Sequence, residues 1–249
     1  MKKALFFLVF IIFSQNPLFS INQYVEGDTL YVWAEGGLSI RDSNSISGKR
    51  IGVIPYGEKI ITLSRKIFKI NDVTIKLTSK HKDDDGNEYL GMTLKGQWAK
   101  INFKGKIGFV FDGYLSKYPA PILRDKGRSE RLEAYFTRVL GLNSEKNSTG
   151  NDYIIREKYF GNGVSLLNVG TKTANVRYTM PIFSQEEIVL FIKNTKLTNL
   201  SGPPRLLENK YFENGNIRVL KFVYDQDGDG GIVIKIFDGM VILVSDASC

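Results

Sequence analysis

Apolar and polar residues alternate in short runs over residues 29–116. "TLYVWA" (29–34) and "LSI" (38–40) alternate as strands do, with Gly36-Gly37 as the turn between them. "RIGVI" and "EKIITL" predict two more strands, joined by "PYG". Pro55 fixes φ early in that turn, and Gly57 tolerates a positive φ late in it. In the segment 67–94, Val73, Ile75 and Leu77 alternate with polar residues and "DDDGNE" reads as a turn, which predicts an added hairpin at about 66–95. "QWAKINF" and "IGFVF" complete the run, with Gly105 between them and Gly113 opening a tight turn after them. Many short strands with glycine-bearing turns predict a small barrel or sandwich.

The period changes after residue 128. Leu132, Tyr135, Phe136, Val139 and Leu140 fall at helical spacing, with Ser129 placed to cap the start and Gly141 to stop the end. "NSEKNSTGND" reads as loop, and "YIIREKYF", "GVSLLNV" and "ANVRYTM" read as strands. "SQEEIVLFIKN" predicts a second helix, whose Ser184 and Glu187 have the spacing of a capping box. "YFEN", "IRVLKFVYD", "GIVIKIF" and "MVILVS" then predict a meander. Two helices with a mostly antiparallel sheet make an α+β domain over 129–249, with 117–128 as linker.

The front region carries a resemblance. "GLSIRDSNSISGKRIGVIPYGEKI", followed by "QWAKINFKGKIGFVFDGYLS", resembles the bacterial SH3-like (SH3b) domain. The ordered set is Gly36, Leu38, Ile40, Arg41, Gly52, Gly57, Trp98, Ile101, Gly105, Gly108, Phe109, Val110, Tyr114 and Leu115. Ser39 stands where the family usually has Asn, and the hairpin at 66–95 is an insertion. The resemblance implies an all-β SH3-like small barrel, so the expected fold is that barrel followed by the α+β domain. Such modules often accompany cell-wall peptidases and amidases, but this chain lacks the residues those partners use. Arg41 is expected at a strand end, its stem on the barrel and its guanidinium tying down the loop 42–49.

The N-terminus sets an expected address. "MKKALFFLVFIIFSQNPLFS" has a basic front and a ten-residue apolar run, which reads as a signal peptide over residues 1–20 and is too short for a membrane span. Its removal lowers the formal charge from +8 to about +6. Lysines are spread along the chain without a basic-aromatic block, which argues against nucleic acid. An exported basic protein suits anionic envelope polymers or, peripherally, lipid headgroups; the charge also serves solubility alone.

Catalytic chemistry finds few residues. His81 is the only histidine, and Cys249, the last residue, is the only cysteine, so a His-based zinc site, a Cys–His pair and an intrachain disulfide all lack partners. In "DQDGDGG", Asp225, Asp227, Asp229 and Gly230 match the first half of a calcium loop, yet Ile236 occupies the position that should supply a bidentate Glu. Either it is a weak calcium site or its Asp and Gly residues serve a hairpin tip. Among the aromatics, Trp98 and Phe109 are expected in the core, and Tyr56, Tyr114 and Trp33 are the candidate ligand-binding residues, for a cell-wall peptide, a glycan or an envelope protein. The preferred expectation is an exported, non-enzymatic binding protein. A calcium-stabilised envelope protein and a hydrolase using carboxylates of 129–249 remain the alternatives.

Overall fold

The computed structural model describes residues 24–64, 73–82, 86, 88–123, 130–150, 153–170, 173–195, 205–212, 217–223, 230–237 and 240–248. The expected signal peptide and the Asp225, Asp227 and Asp229 loop lie outside these residues. Among the described residues the chain is mostly antiparallel β-structure with two α-helices. Among the described residues no helix is long and apolar enough to cross a membrane.

The front strands are β1 (Thr29–Val32), β2 (Leu38–Arg41), β3 (Arg50–Ile54), β4 (Lys59–Thr62), β9 (Trp98–Phe103), β10 (Lys106–Phe111) and β11 (Leu115–Ser116). They form a seven-stranded antiparallel sheet in the order β11-β1-β4-β9-β10-β2-β3. Alternation sorts their faces: Leu30, Val32, Leu38, Ile40, Ile60, Ala99, Ile101 and Val110 pack into one buried cluster. The predicted hairpin between β4 and β9 is present as two small ladders. β5 (Val73–Lys76) pairs with β8 (Thr93–Gly96), and β6 (His81–Lys82) pairs with β7 (Glu88–Tyr89).

The second half builds an eight-stranded antiparallel sheet. Its strands are β12 (Leu142–Thr149), β13 (Ile154–Phe160), β14 (Ser165–Gly170), β15 (Thr173–Met180), β16 (Arg205–Phe212), β17 (Ile217–Val223), β18 (Gly230–Phe237) and β19 (Met240–Ser248). The order β12-β13-β14-β15-β19-β18-β17-β16 returns the last strand to the middle, beside β15. α1 (Leu132–Leu140) and α2 (Gln185–Thr195) bury Tyr135, Phe136, Ile188, Leu190, Phe191 and Ile192 against this sheet's Phe160, Leu166, Leu220, Phe222, Ile232, Ile234, Val241 and Leu243.

Three local expectations change. Residues 142–149 are a strand, not a loop: every side chain of β12 is exposed, so no alternation marked it, and its register comes from pairing with β13. Charge helps hold it, since the Lys158 Nζ lies 2.8 Å from Glu133 Oε1 and 2.9 Å from Glu145 Oε2, joining α1, β13 and β12. The N-cap position of α1 is Arg131, without a side-chain cap, and Ser129 lies outside the described residues. β16 begins at Arg205, six residues before the expected "YFEN". By contrast Gly141 terminates α1 with φ 77°, and the capping box of α2 is formed: the Ser184 N–H donates to Glu187 Oε2 at 2.7 Å and the Glu187 N–H donates to Ser184 Oγ at 3.1 Å.

The two sheets share a core. Val32 points into the front cluster, whereas the next residue, Trp33, lies in the cluster of the second half with Met92, Leu94 and Phe111. Its ring meets Tyr135 edge-on at 5.9 Å and Phe191 at 6.5 Å. Residues 117–123, expected as linker, are tied on both sides. Tyr118 O accepts from Trp33 Nε1 at 2.9 Å, Pro119 O from the Tyr135 hydroxyl at 2.9 Å, and Pro121 O from the Tyr56 hydroxyl at 2.7 Å. Glu130, itself buried, accepts from the Ile122 N–H and takes a bidentate pair of bonds from Arg138, each 2.7 Å.

Candidate functional site

The strand phase of β9 decides what faces solvent. Ala99 and Ile101 point into the front core, so Trp98 shares the opposite face with Lys100 and Asn102. Trp98 is therefore half-buried, and not the core residue expected. Its cross-strand partner is Phe111, with ring centroids 6.3 Å apart, and Phe111 meets Tyr114 edge-on at 5.8 Å. This row of three aromatics floors a groove of about 470 Å³.

Three segments wall the groove. The first is the turn after β1 and the strand that follows, Ala34 to Ser39, with Arg41 beyond it. The turn is closed by the Gly37 N–H donating to Ala34 O at 2.9 Å, and Gly37 has φ 82°. A Cβ there would sit 2.8 Å from Val53 Cγ1 and 3.0 Å from Ile54 O, so both conformation and space require glycine. The second wall is β5 with the residue after it: Ile75, Lys76 and Leu77. The third is the end of α2, through Leu190, Lys193 and Asn194. The groove thus opens where the front sheet, the inserted hairpin and the second half meet, and the insertion forms one side of it.

Arg41 sits at the end of β2 and does two things. Its Nη1 donates to Gly48 O at 2.6 Å, which ties down the loop as expected. Its guanidinium carbon also lies 6.0 Å from the Trp98 ring centroid, within cation–π range, so the same side chain fixes the indole that lines the groove. Lys193 lies 3.6 Å from Glu35. Three cations, Arg41, Lys76 and Lys193, stand against one carboxylate, Glu35, around the opening.

The insertion is held to the groove by Asp112. This buried carboxylate accepts from the Gln97 N–H at 2.6 Å through Oδ1 and from the Tyr24 hydroxyl at 3.1 Å through Oδ2. The Tyr24 phenol is shifted well above the ordinary range by burial, reinforced by the Asp112 charge beside it. A Cβ on Gly96 would lie 2.7 Å from Gly113 N, so glycine lets β8 approach the turn that carries Tyr114.

The three aromatics expected to meet ligand separate. Tyr114 lines the groove; it is half-buried, and burial raises its phenol pKa. Trp33 is wholly buried, and its indole N–H is taken by Tyr118 O, so it is a core residue and presents no surface to a ligand. Tyr56 is half-buried, with its hydroxyl bonded to Pro121 O, and burial pushes its pKa up. It fastens the connecting segment. Trp98, Arg41, Lys76 and Lys193 were not among the expected ligand-binding residues. The phase of "WAKINF" is the signal that places Trp98 outside the core; nothing local brings Lys76 and Lys193 together.

One buried acid pair lies between β11 and α2. The Ser116 hydroxyl donates to Glu187 Oε1 at 2.5 Å, and burial pushes the Glu187 carboxyl up to about 7. Both residues are buried, so the pair joins β11 to α2 and does not face a substrate. Among the described residues no group of three His, Cys, Asp or Glu side chains is placed to hold a metal ion. Compared with known proteins, the chain matches no family model, no curated protein and no solved structure.

Proposed function

We propose that this chain is an exported, non-enzymatic binding protein of the bacterial envelope. Its front sheet is an SH3-like module that recognises a peptide or wall polymer, and the α+β second half supplies one wall of the site. The observation that carries this reading is the groove floored by Trp98, Phe111 and Tyr114 and rimmed by Arg41, Lys76 and Lys193. The half-buried rings of Trp98 and Tyr114 beside cations offer stacking and charge to an extended anionic or peptide-bearing ligand. The basic composition, net +8 over the full sequence, agrees with anionic partners. The ordered SH3b-like residues supply the family reading, and the strand-rich front agrees with it.

The test is retention on purified cell wall. We expect the wild-type chain to be held at low salt and released as salt rises, because screening weakens the cationic contribution. Trp98→Ala and Tyr114→Ala should each reduce retention several-fold, since a contact aromatic carries about 1–3 kcal/mol. No retention at low salt, or retention indifferent to both substitutions, would retire the reading.

A further inference from the structure

The groove is met edge-on by a strand. Ile75, Lys76 and Leu77 are consecutive, and consecutive side chains of a strand point to opposite faces. Ile75 and Lys76, on opposite faces of β5, and Leu77, just past its end, all line one cavity, so the cavity reaches the margin of β5 at its C-terminal end. On its other side β5 pairs with β8, in the register Ile75↔Leu94 and Lys76↔Thr93. The Leu77 N–H donates to Met92 O at 2.8 Å, and this fixes which residues bond inward. By antiparallel alternation, the main-chain groups of Val73, Ile75 and Leu77 turn towards β8, and those of Thr74 and Lys76 turn outward. Among the described residues no strand pairs with that outer edge.

Charge selects the sign of what can lie there. Lys76 is exposed on the edge itself, Lys193 stands across the groove, and Arg41 holds its head over Trp98. Among the described residues neither Arg41 nor Lys76 makes an ion pair. Between the cations the lining is apolar: Leu38, Ile46, Ile75 and Leu77, with Phe111 in the floor. A glycan could use the aromatics and the charges, but it would leave the outward main-chain donors and acceptors of β5 without strand partners.

We propose that the groove takes an extended acidic peptide, added as a strand to the outer edge of β5, with alternate carboxylates meeting Lys76, Lys193 and Arg41 and the intervening apolar side chains lying on Trp98 and Leu77. This rests on the binding-protein reading and narrows its ligand. Strand addition supplies the main-chain bonds, and the cationic rim supplies the preference for acidic sequence.

The experiment is fluorescence anisotropy with the full mature chain and a labelled decapeptide of alternating Glu and Val. Three comparison probes are used: the same peptide with Lys for Glu, the same peptide N-methylated at alternate residues, and polygalacturonate as an anionic glycan. The protein variant is Lys76→Gln with Lys193→Gln, both groove-side and partly or fully exposed, and its melting midpoint checks that it folds. We expect the Glu–Val peptide to bind, and the variant, the Lys peptide and the N-methylated peptide each to weaken binding about tenfold or more. Equal binding of the Lys or N-methylated peptide, or no binding of the Glu–Val peptide whether or not polygalacturonate binds, overturns the proposal. Wall retention is measured alongside. Glu–Val peptide bound equally by wild type and variant, with the wall still retained, overturns the groove assignment while leaving the binding-protein reading standing. Acidic peptide bound without any wall retention supports the groove and retires the envelope target.

Discussion

Asn194, in the last turn of α2, donates its side-chain amide to the main-chain carbonyl of Trp33 at 2.9 Å, across 161 positions of sequence. Both residues are buried, and Asn194 also borders the groove. One hydrogen bond therefore sets the end of α2 against the turn that opens the opposite wall. Replacing Asn194 by Leu leaves the Trp33 carbonyl buried without that donor, at a cost of about 1–3 kcal/mol. For a chain of this size we expect the melting midpoint to fall by roughly 2–10 °C. A calorimetric midpoint unchanged from wild type would show that the bond does not hold the two halves together.

Glu187 gives the fold a pH dependence whose sign is fixed. Its carboxyl rises from the ordinary value near 4.5 to about 7 on folding, chiefly through burial. The native state therefore keeps a proton that the unfolded chain releases between those values. The stabilisation is complete below about pH 4.5 and is lost as pH rises towards 7, with an upper bound of roughly 3 kcal/mol. Glu187→Gln stays neutral, can still accept from the Ser184 N–H and can donate to Ser116 Oγ. We expect the variant to match wild type at pH 5, to exceed it at pH 8, and to lose most of the slope between. Urea titrations at pH 5, 6, 7 and 8 measure this, and parallel curves for the two proteins would contradict it.

Gly108 tests how tightly β10 packs on β2. A Cβ there would lie 2.5 Å from Ile40 Cγ2 and 2.7 Å from the main-chain oxygen of Arg41. The second neighbour is backbone and cannot turn aside. Gly108→Ala should cost about 1–3 kcal/mol and loosen Arg41 against Trp98. Denaturant midpoints read the first effect. The second appears as a shift in tryptophan emission, to which buried Trp33 contributes a constant background. Unchanged stability and emission would show that the strands part easily.

What the sequence revealed was what neighbours in the chain decide. The capping box at Ser184 and Glu187, the positive φ of Gly57 and Gly141, and the alternation of "LSI" and "VTIK" all act within a few residues. β12 stayed hidden because its eight exposed side chains carry no alternation, and only the ladder with β13 makes it a strand. Trp33 follows an alternating run, but its burial depends on Tyr135 and Phe191, a hundred residues and more away. The groove was half legible. Tyr114 belongs to the SH3b-like set, and the phase of "WAKINF" exposes Trp98, whereas Lys76 and Lys193 meet only because the insertion and α2 fold onto the same side.

The insertion also reaches past the groove. The Leu90 N–H donates to Leu206 O at 2.8 Å, and a β-bridge joins Leu90 to Leu206 of β16, one of the two edge strands of the eight-stranded sheet. A bare outermost strand is a template on which a second molecule can continue the ladder. By lending it a neighbour from elsewhere in the same chain, the hairpin acts as a selvedge, occupying part of the border where uncontrolled self-association would begin. Excising it would open the groove and unhem the far sheet in one stroke.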